Sequence, residues 1–317
     1  VRKISTFVVF VLVFQLFVVA NPNNQASAFA SQSSCALTPQ VTVVIDGEFN
    51  DQLVTRAICR SAKIVDEILG EYGTTLGNVT VWLYADRARA VRKLATLTSW
   101  RWPSGAYAVA TGSNVILAPS GRIQQQPGVD KWLMSYTAHE LTHTLQNLNS
   151  GEARWLLEGA AQYMAVLMRE RWEGTSATVT ADGRAALLRN YRSGAHPFKI
   201  ESERQFSAVS YSYPVSYQSF LLLMSEMEDG MDAYLNCYLP ESKRVNWRTA
   251  FQECFGMTVA EFYELFDEYA SLEFAEFPSE RRTRELEETR QREEARKAYW
   301  KKLTECVPGP TAMFCIG

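Results

Sequence analysis

The sequence predicts an α+β protein: an N-terminal β-sheet lobe with interleaved helices, then a helical lobe. Three observations carry this. Val41-Thr42-Val43-Val44-Ile45 and Val79-Thr80-Val81-Trp82-Leu83-Tyr84 are β-branched and aromatic runs of the kind that form buried strands. Each is followed by a segment whose apolar residues recur at helical spacing. From Trp132 to about residue 274 every apolar pattern is helical and strand signals cease.

Taken in order, the strand at 41–45 leads into a helix from Asp51 to about Tyr72, with Leu53, Ala57, Ile64, Val65 and Ile68 on one face. The strand at 79–84 leads into a helix from Arg87 to Leu97. Tyr107–Thr111 and Asn114–Ala118 flank Gly112-Ser113, a two-residue hairpin signal. Helices are then expected over Trp132–Gln146, Ala153–Glu170, Tyr217–Met227, Met231–Cys237, Trp247–Phe255 and Val259–Phe274. The lobes are therefore drawn at about 41–130 and 131–277, within one domain of 31–277.

Composition bounds the function. The chain has 317 residues, 47% hydrophobic and 21% charged, which excludes a collagenous or wholly disordered chain. With 32 Lys+Arg against 35 Asp+Glu there is no basic excess, and nucleic acid is excluded as an expected partner. The segment 279–303 stands apart, with 15 of its 25 residues charged. Glu280, Glu288 and Glu293 each precede a basic residue by four positions there. That pattern predicts a solvated helix folded back through Trp300 and Leu303, in a C-terminal region of 278–317.

The first 30 residues read as an export signal. Arg2 and Lys3 precede an apolar run from Phe7 to Ala20, and Ala26-Ser27-Ala28 and Ala28-Phe29-Ala30 are A-x-A cleavage sites. The run is 14 residues long, against about 20 for a membrane span. The expectation is a secreted chain with no stable span after cleavage; an uncleaved N-terminal anchor is the alternative. Val1 is what an alternative bacterial start codon read literally would give. Six cysteines agree with an oxidising compartment. They permit 15 pairings, but they fall into local pairs, and sequential bridges Cys35–Cys59, Cys237–Cys254 and Cys306–Cys315 are the economical expectation. No C-x-x-C spacing suggests a cysteine metal site.

Histidine is scarce: His139, His143 and His196 are all there are. Two of them form His139-Glu140-Leu141-Thr142-His143 inside an expected helix. Each helical residue turns about 100°, so both imidazoles project from one face, one turn apart, and can bind one Zn²⁺. Glu140 is rotated off that pair and can reach a water at the metal instead. A catalytic zinc site takes a third protein ligand and leaves a position open. After the turn-rich 147–151 comes Trp155-Leu156-Leu157-Glu158-Gly159-Ala160-Ala161, where Glu158 is acidic in an otherwise apolar helix. A carboxylate is costly to bury there unless a cation meets it; the alternative is a surface Glu favoured by the helix dipole. Gly159, Ala160 and Ala161 are small enough to let the first helix come close.

The pattern His139-Glu140-x-x-His143 with Trp155-Leu-x-Glu158-Gly-x-Ala-x-Tyr163 resembles the gluzincin zinc metallopeptidases, specifically the peptidase-MA-like group. The likeness extends loosely to about residue 272 and stops short of 279–317. The resemblance implies a zincin-like fold, with an edge strand lying over the active-site helix. It implies His139, His143 and Glu158 as ligands of one Zn²⁺, with Glu140 as general base. It also implies an oxyanion donor: aminopeptidase-like members use a Tyr at the start of a following helix, and Tyr217 resembles it. Tyr211 and Tyr213 lie close enough to substitute, and His196 is a further candidate. The motif that anchors a free amino terminus in those aminopeptidases is absent; the matching hairpin, 106–113, contains no carboxylate. Position 162 is Gln where some members carry an Asp supporting a ligand histidine. The expected activity is hydrolysis of peptide or protein substrates through a metal-activated water, as an endopeptidase. A non-catalytic zinc-stabilised binding module and an exopeptidase are the alternatives.

Overall fold

The structure is a computed structural model that describes residues 30–103, 106–119, 128–146, 152–174 and 196–275, with short pieces at 290–291, 294, 307–308 and 313–314. Its first part is a five-stranded mixed sheet of order β1-β2-β3-β5-β4, where β1 is Ser31–Cys35, β2 Thr38–Asp46, β3 Val79–Tyr84, β4 Ala108–Thr111 and β5 Asn114–Leu117. β2, β3 and β5 run parallel, and β1 and β4 close the two edges antiparallel. The β4–β5 hairpin turns through Gly112-Ser113 as its sequence predicts, with Gly112 at φ +53°.

Alternation along the strands sorts the two faces. Val41, Val43, Val79, Val81, Leu83, Ala108, Ala110, Val115 and Leu117 point into the main core. They meet helix α1 (Asp51–Gly70) and helix α3 (Val129–Leu145) there. On the other face Tyr84, Ile116 and Ala118 cover Ala90 and Leu94 of α2 (Arg87–Leu97). α1 is capped by the Asn50 side chain, which accepts from the Leu53 N–H. The sheet thus lies between helices, and β4 is its outer strand beside α3.

The rest is helical: α4 (Arg154–Glu173), a 3₁₀ turn (Pro197–Ile200), α5 (Glu203–Ser207), α6 (Ser212–Glu226), α7 (230–241), α8 (Trp247–Phe255) and α9 (Val259–Ala275). α7 is irregular, with the π turn Ala233–Tyr238 inserted in it. Disulfides Cys35–Cys59 and Cys237–Cys254 form as the sequential pairing predicts. The first ties β1 to α1, and the second ties the π turn of α7 to α8. The expected Cys306–Cys315 bridge and most of 279–303 lie outside the described residues; β6 (Val307–Pro308) and β7 (Met313–Phe314) pair antiparallel between those two cysteines. Among the described residues no helix is long and apolar enough to cross a membrane.

Several features depart from expectation, beginning with the 3₁₀ turn and α5, which the sequence reading does not include. β1 has no apolar alternation, since Ser31-Gln32-Ser33-Ser34 faces mostly outward and only Cys35 is buried. α6 begins five residues earlier than predicted, because Pro214 in a first turn forfeits no helical hydrogen bond. Gly159 serves a different neighbour from the one expected: a Cβ there would lie 2.3 Å from the Ser216 carbonyl oxygen and 2.9 Å from Phe220 Cβ, both on α6. The small residue admits α6, not the histidine helix. Gly159→Ala should therefore destabilise the fold by about 1–3 kcal/mol despite alanine's better helix propensity. That is a fall of several degrees in melting temperature. A melting temperature at or above wild type would show that α6 can yield.

Candidate metal centre

α3 and α4 build the site together. Leu133, Met134, Thr137, Ala138 and Leu141 turn the inner face of α3 into the core. His139 and His143 therefore point from its other side, one turn apart, with their rings 4.8 Å apart edge to face. α4 is fixed by Trp155, which is fully buried, stacks on Phe262 at 5.1 Å and donates its indole N–H to Tyr263 Oη at 3.0 Å. The Arg154 backbone N–H donates to the Glu201 carbonyl at 2.6 Å. Glu158, one turn into α4, is then 2% exposed and faces the histidines.

Three ligand atoms converge. His139 Nε2 lies 3.1 Å from Glu158 Oε2 and 3.2 Å from His143 Nε2, and His143 Nε2 lies 3.6 Å from Glu158 Oε2. Ligands about 2.1 Å from one ion in tetrahedral array sit about 3.4 Å from each other. The cluster thus has the spacing of three corners of a zinc tetrahedron. Two imidazole nitrogens and a carboxylate oxygen are also a donor set that zinc favours. His139, His143 and Glu158 fit a metal ion.

The surrounding charges are placed to match. Burial on its own would raise the Glu158 carboxyl, but Arg154, His143 and His139 hold it well below its ordinary value. Arg154 Nη2 lies 2.7 Å from Glu158 Oε1, while its Nε lies 2.9 Å from Glu203. Glu140, beside the cluster and 5% exposed, behaves in the opposite way: burial pushes its carboxyl up to about 7, against the pull of His139. A carboxylate of that basicity can take a proton near neutral pH. His143 Nδ1 is 2.6 Å from Gln146 Oε1.

The tyrosines are placed differently from expectation. Tyr217 is 3% exposed, lies against Tyr163, and is pushed up to about 12 by burial and Glu170. None of the groups that perturb it belongs to the metal cluster. Tyr213, one turn earlier in α6, is 49% exposed, its ring is 6.2 Å from that of His139, and its phenol is raised first by the Glu158 charge, then by burial and Glu140. The structure thus brings Tyr213 to the cluster in place of Tyr217. Tyr211 is the residue before α6. His196 caps the 3₁₀ turn, accepting from the Phe198 N–H at 3.1 Å, and packs on Tyr263, Phe266 and Asp267 of α9. It has a structural task away from the cluster. Gln146, Arg154 and Tyr213 complete the site. The sequence reading assigns neither Gln146 nor Arg154 to the site; the signals are the i,i+3 spacing from His143 and the i,i+4 spacing from Glu158.

No protein-family model matches the chain. No curated protein matches it either. Similar solved structures include a mutant M1 zinc metallopeptidase from Deinococcus radiodurans, aligned over 74% of this chain at 13% identity with a TM-score of 0.44. The chain spans about half, 49%, of that protein's length. Elsewhere, an open hollow of about 360 Å³ between α8 and α9 is lined by Arg248, Gln252, Thr258 and Tyr263, none of them in the cluster.

Proposed function

We propose that this protein is a secreted zinc-dependent endopeptidase of the gluzincin, peptidase-MA-like kind. The observation that carries the reading is the convergence of His139, His143 and Glu158 at tetrahedral spacing with buried Glu140 beside them. His139, His143 and Glu158 would hold the zinc, which would supply Lewis acidity toward a water and a peptide carbonyl. Glu140 takes the proton of the attacking water and returns it to the departing amine. Tyr213, whose raised phenol stays protonated, donates a hydrogen bond to the carbonyl oxygen as negative charge develops on it. Arg154 keeps Glu158 ionised and aimed at the histidines. The outer edge of β4, unpaired among the described residues, lets a substrate strand add beside α3. The absence of a carboxylate in the 106–113 hairpin favours internal cleavage over amino-terminal trimming. Disulfides Cys35–Cys59 and Cys237–Cys254 support export.

Metal analysis joined to digestion of a peptide library tests this. The expected result is one zinc per chain, internal cuts in peptides whose amino termini are blocked, and loss of cutting on chelation that zinc restores. Zinc with no peptide ever cut would make the protein a zinc-stabilised binding module. Cutting confined to free amino termini would make it an exopeptidase.

A further inference from the structure

The hydrogen bonds behind the cluster fix which nitrogen of His143 carries its proton. We propose that Gln146 is a positioning residue that locks His143 as the Nδ1–H tautomer, so that its Nε2 lone pair is presented to the metal before any metal arrives. This rests on the zinc reading of the site. The assignment follows from donor and acceptor chemistry alone. The main-chain carbonyl of Leu157 can only accept, so the group of Gln146 that lies 3.0 Å from it is the amide nitrogen. That nitrogen reaches Tyr234 Oη with its other hydrogen, at 2.8 Å. The amide oxygen is therefore the atom facing His143 Nδ1 at 2.6 Å, and an amide oxygen can only accept. The proton sits on Nδ1. A neutral imidazole then has its lone pair on Nε2, the atom that meets His139 and Glu158.

The lock is rigid because each partner is held. Gln146 follows the last residue of α3 and is buried, and Leu157 lies in the first turns of α4, so one side chain ties the two ligand-bearing helices together. Tyr234 lies in the π turn, fully buried between Phe220 at 4.9 Å and Tyr238 at 5.8 Å, and the Cys237–Cys254 bridge anchors that turn to α8.

Two substitutions separate an acceptor from a mere spacer. Q146M keeps the length and removes the acceptor, whereas Q146E keeps an oxygen for Nδ1–H and gives up the donor to Leu157. The full chain is titrated with zinc against a competing chelator, and the melting temperature of each metal-free protein is recorded alongside. Q146M should bind zinc about 10–100-fold more weakly than wild type. Q146E should stay within about threefold of wild type even though it melts lower. Equal losses in both variants, or none in Q146M, would overturn the proposal. Metal-free wild-type protein gives an independent reading through the ¹⁵N–¹H couplings of the His143 ring at a pH where it is neutral. A protonated Nδ1 and a bare Nε2 are expected; the reverse overturns the proposal even if neither variant folds. A wild type with the expected tautomer but no zinc affinity would remove the peptidase reading while leaving the hydrogen-bond assignment standing.

Discussion

Replacing Glu140 with Gln should lower kcat by at least about 10²–10⁴-fold, the range of a general base, while the protein keeps its zinc. The same substitution should stabilise the metal-free protein, and the pH dependence of that gain is its signature. Glu140 is raised from an ordinary 4.5 to about 7 in the fold, because burial penalises its ionised form. A group whose folded pKa is raised favours folding while protonated, so wild-type stability falls as pH climbs from about 4.5 through about 7. The full penalty, on the order of 3 kcal/mol, is present above that window. Glu140→Gln removes it, so the two melting curves should nearly coincide below pH 4.5 and separate as pH rises, with the variant melting higher. Metal analysis, a peptide hydrolysis assay and thermal melts of chelator-treated protein across that range measure all three effects. A variant that still cuts at the wild-type rate would remove Glu140 from the chemistry.

The second large effect belongs to Tyr213. Tyr213→Phe should cost about 10²–10³ in kcat with little change in KM, the loss typical of one oxyanion donor. Tyr217→Phe should leave kcat within a few-fold of wild type. Tyr217 is buried in the α4–α6 packing against Tyr163, and none of the groups that perturb it belongs to the cluster. A large kcat loss in Tyr217→Phe with normal Tyr213→Phe activity would reverse this assignment.

The contrast between the two tyrosines shows what the sequence made legible. Helix periodicity and β-branched runs located β2 to β5 and the longer helices, and β3, α2 and α8 coincide with their expected bounds. The histidine pair was readable because a helix has a fixed pitch that brings residues four apart to one face, and Glu158 because a carboxylate in an apolar helix calls for a cation. Helix starts are less constrained. With α6 expected from residue 217, its opening tyrosine was Tyr217; with α6 beginning at Ser212, that tyrosine is Tyr213. The same kind of limit hid Gln146. Its position after α3 was visible, but Leu157 and Tyr234, which orient its amide, reach it only once α4 and the π turn have packed. Gly159 was rightly read as permitting a close approach, and a glycine does not announce which neighbour approaches. β1 escaped notice because an edge strand of serines has almost no apolar signal.

The pairing of Arg154 with Glu158 Oε1 narrows which ions the cluster suits. With one carboxylate oxygen committed to the guanidinium, the cluster offers two nitrogens and a single oxygen. Calcium, which seeks six to eight oxygens, and magnesium, which seeks an octahedron of them, find too few partners there. By taking up that oxygen, the arginine leaves a donor set suited to borderline-soft ions over hard ones.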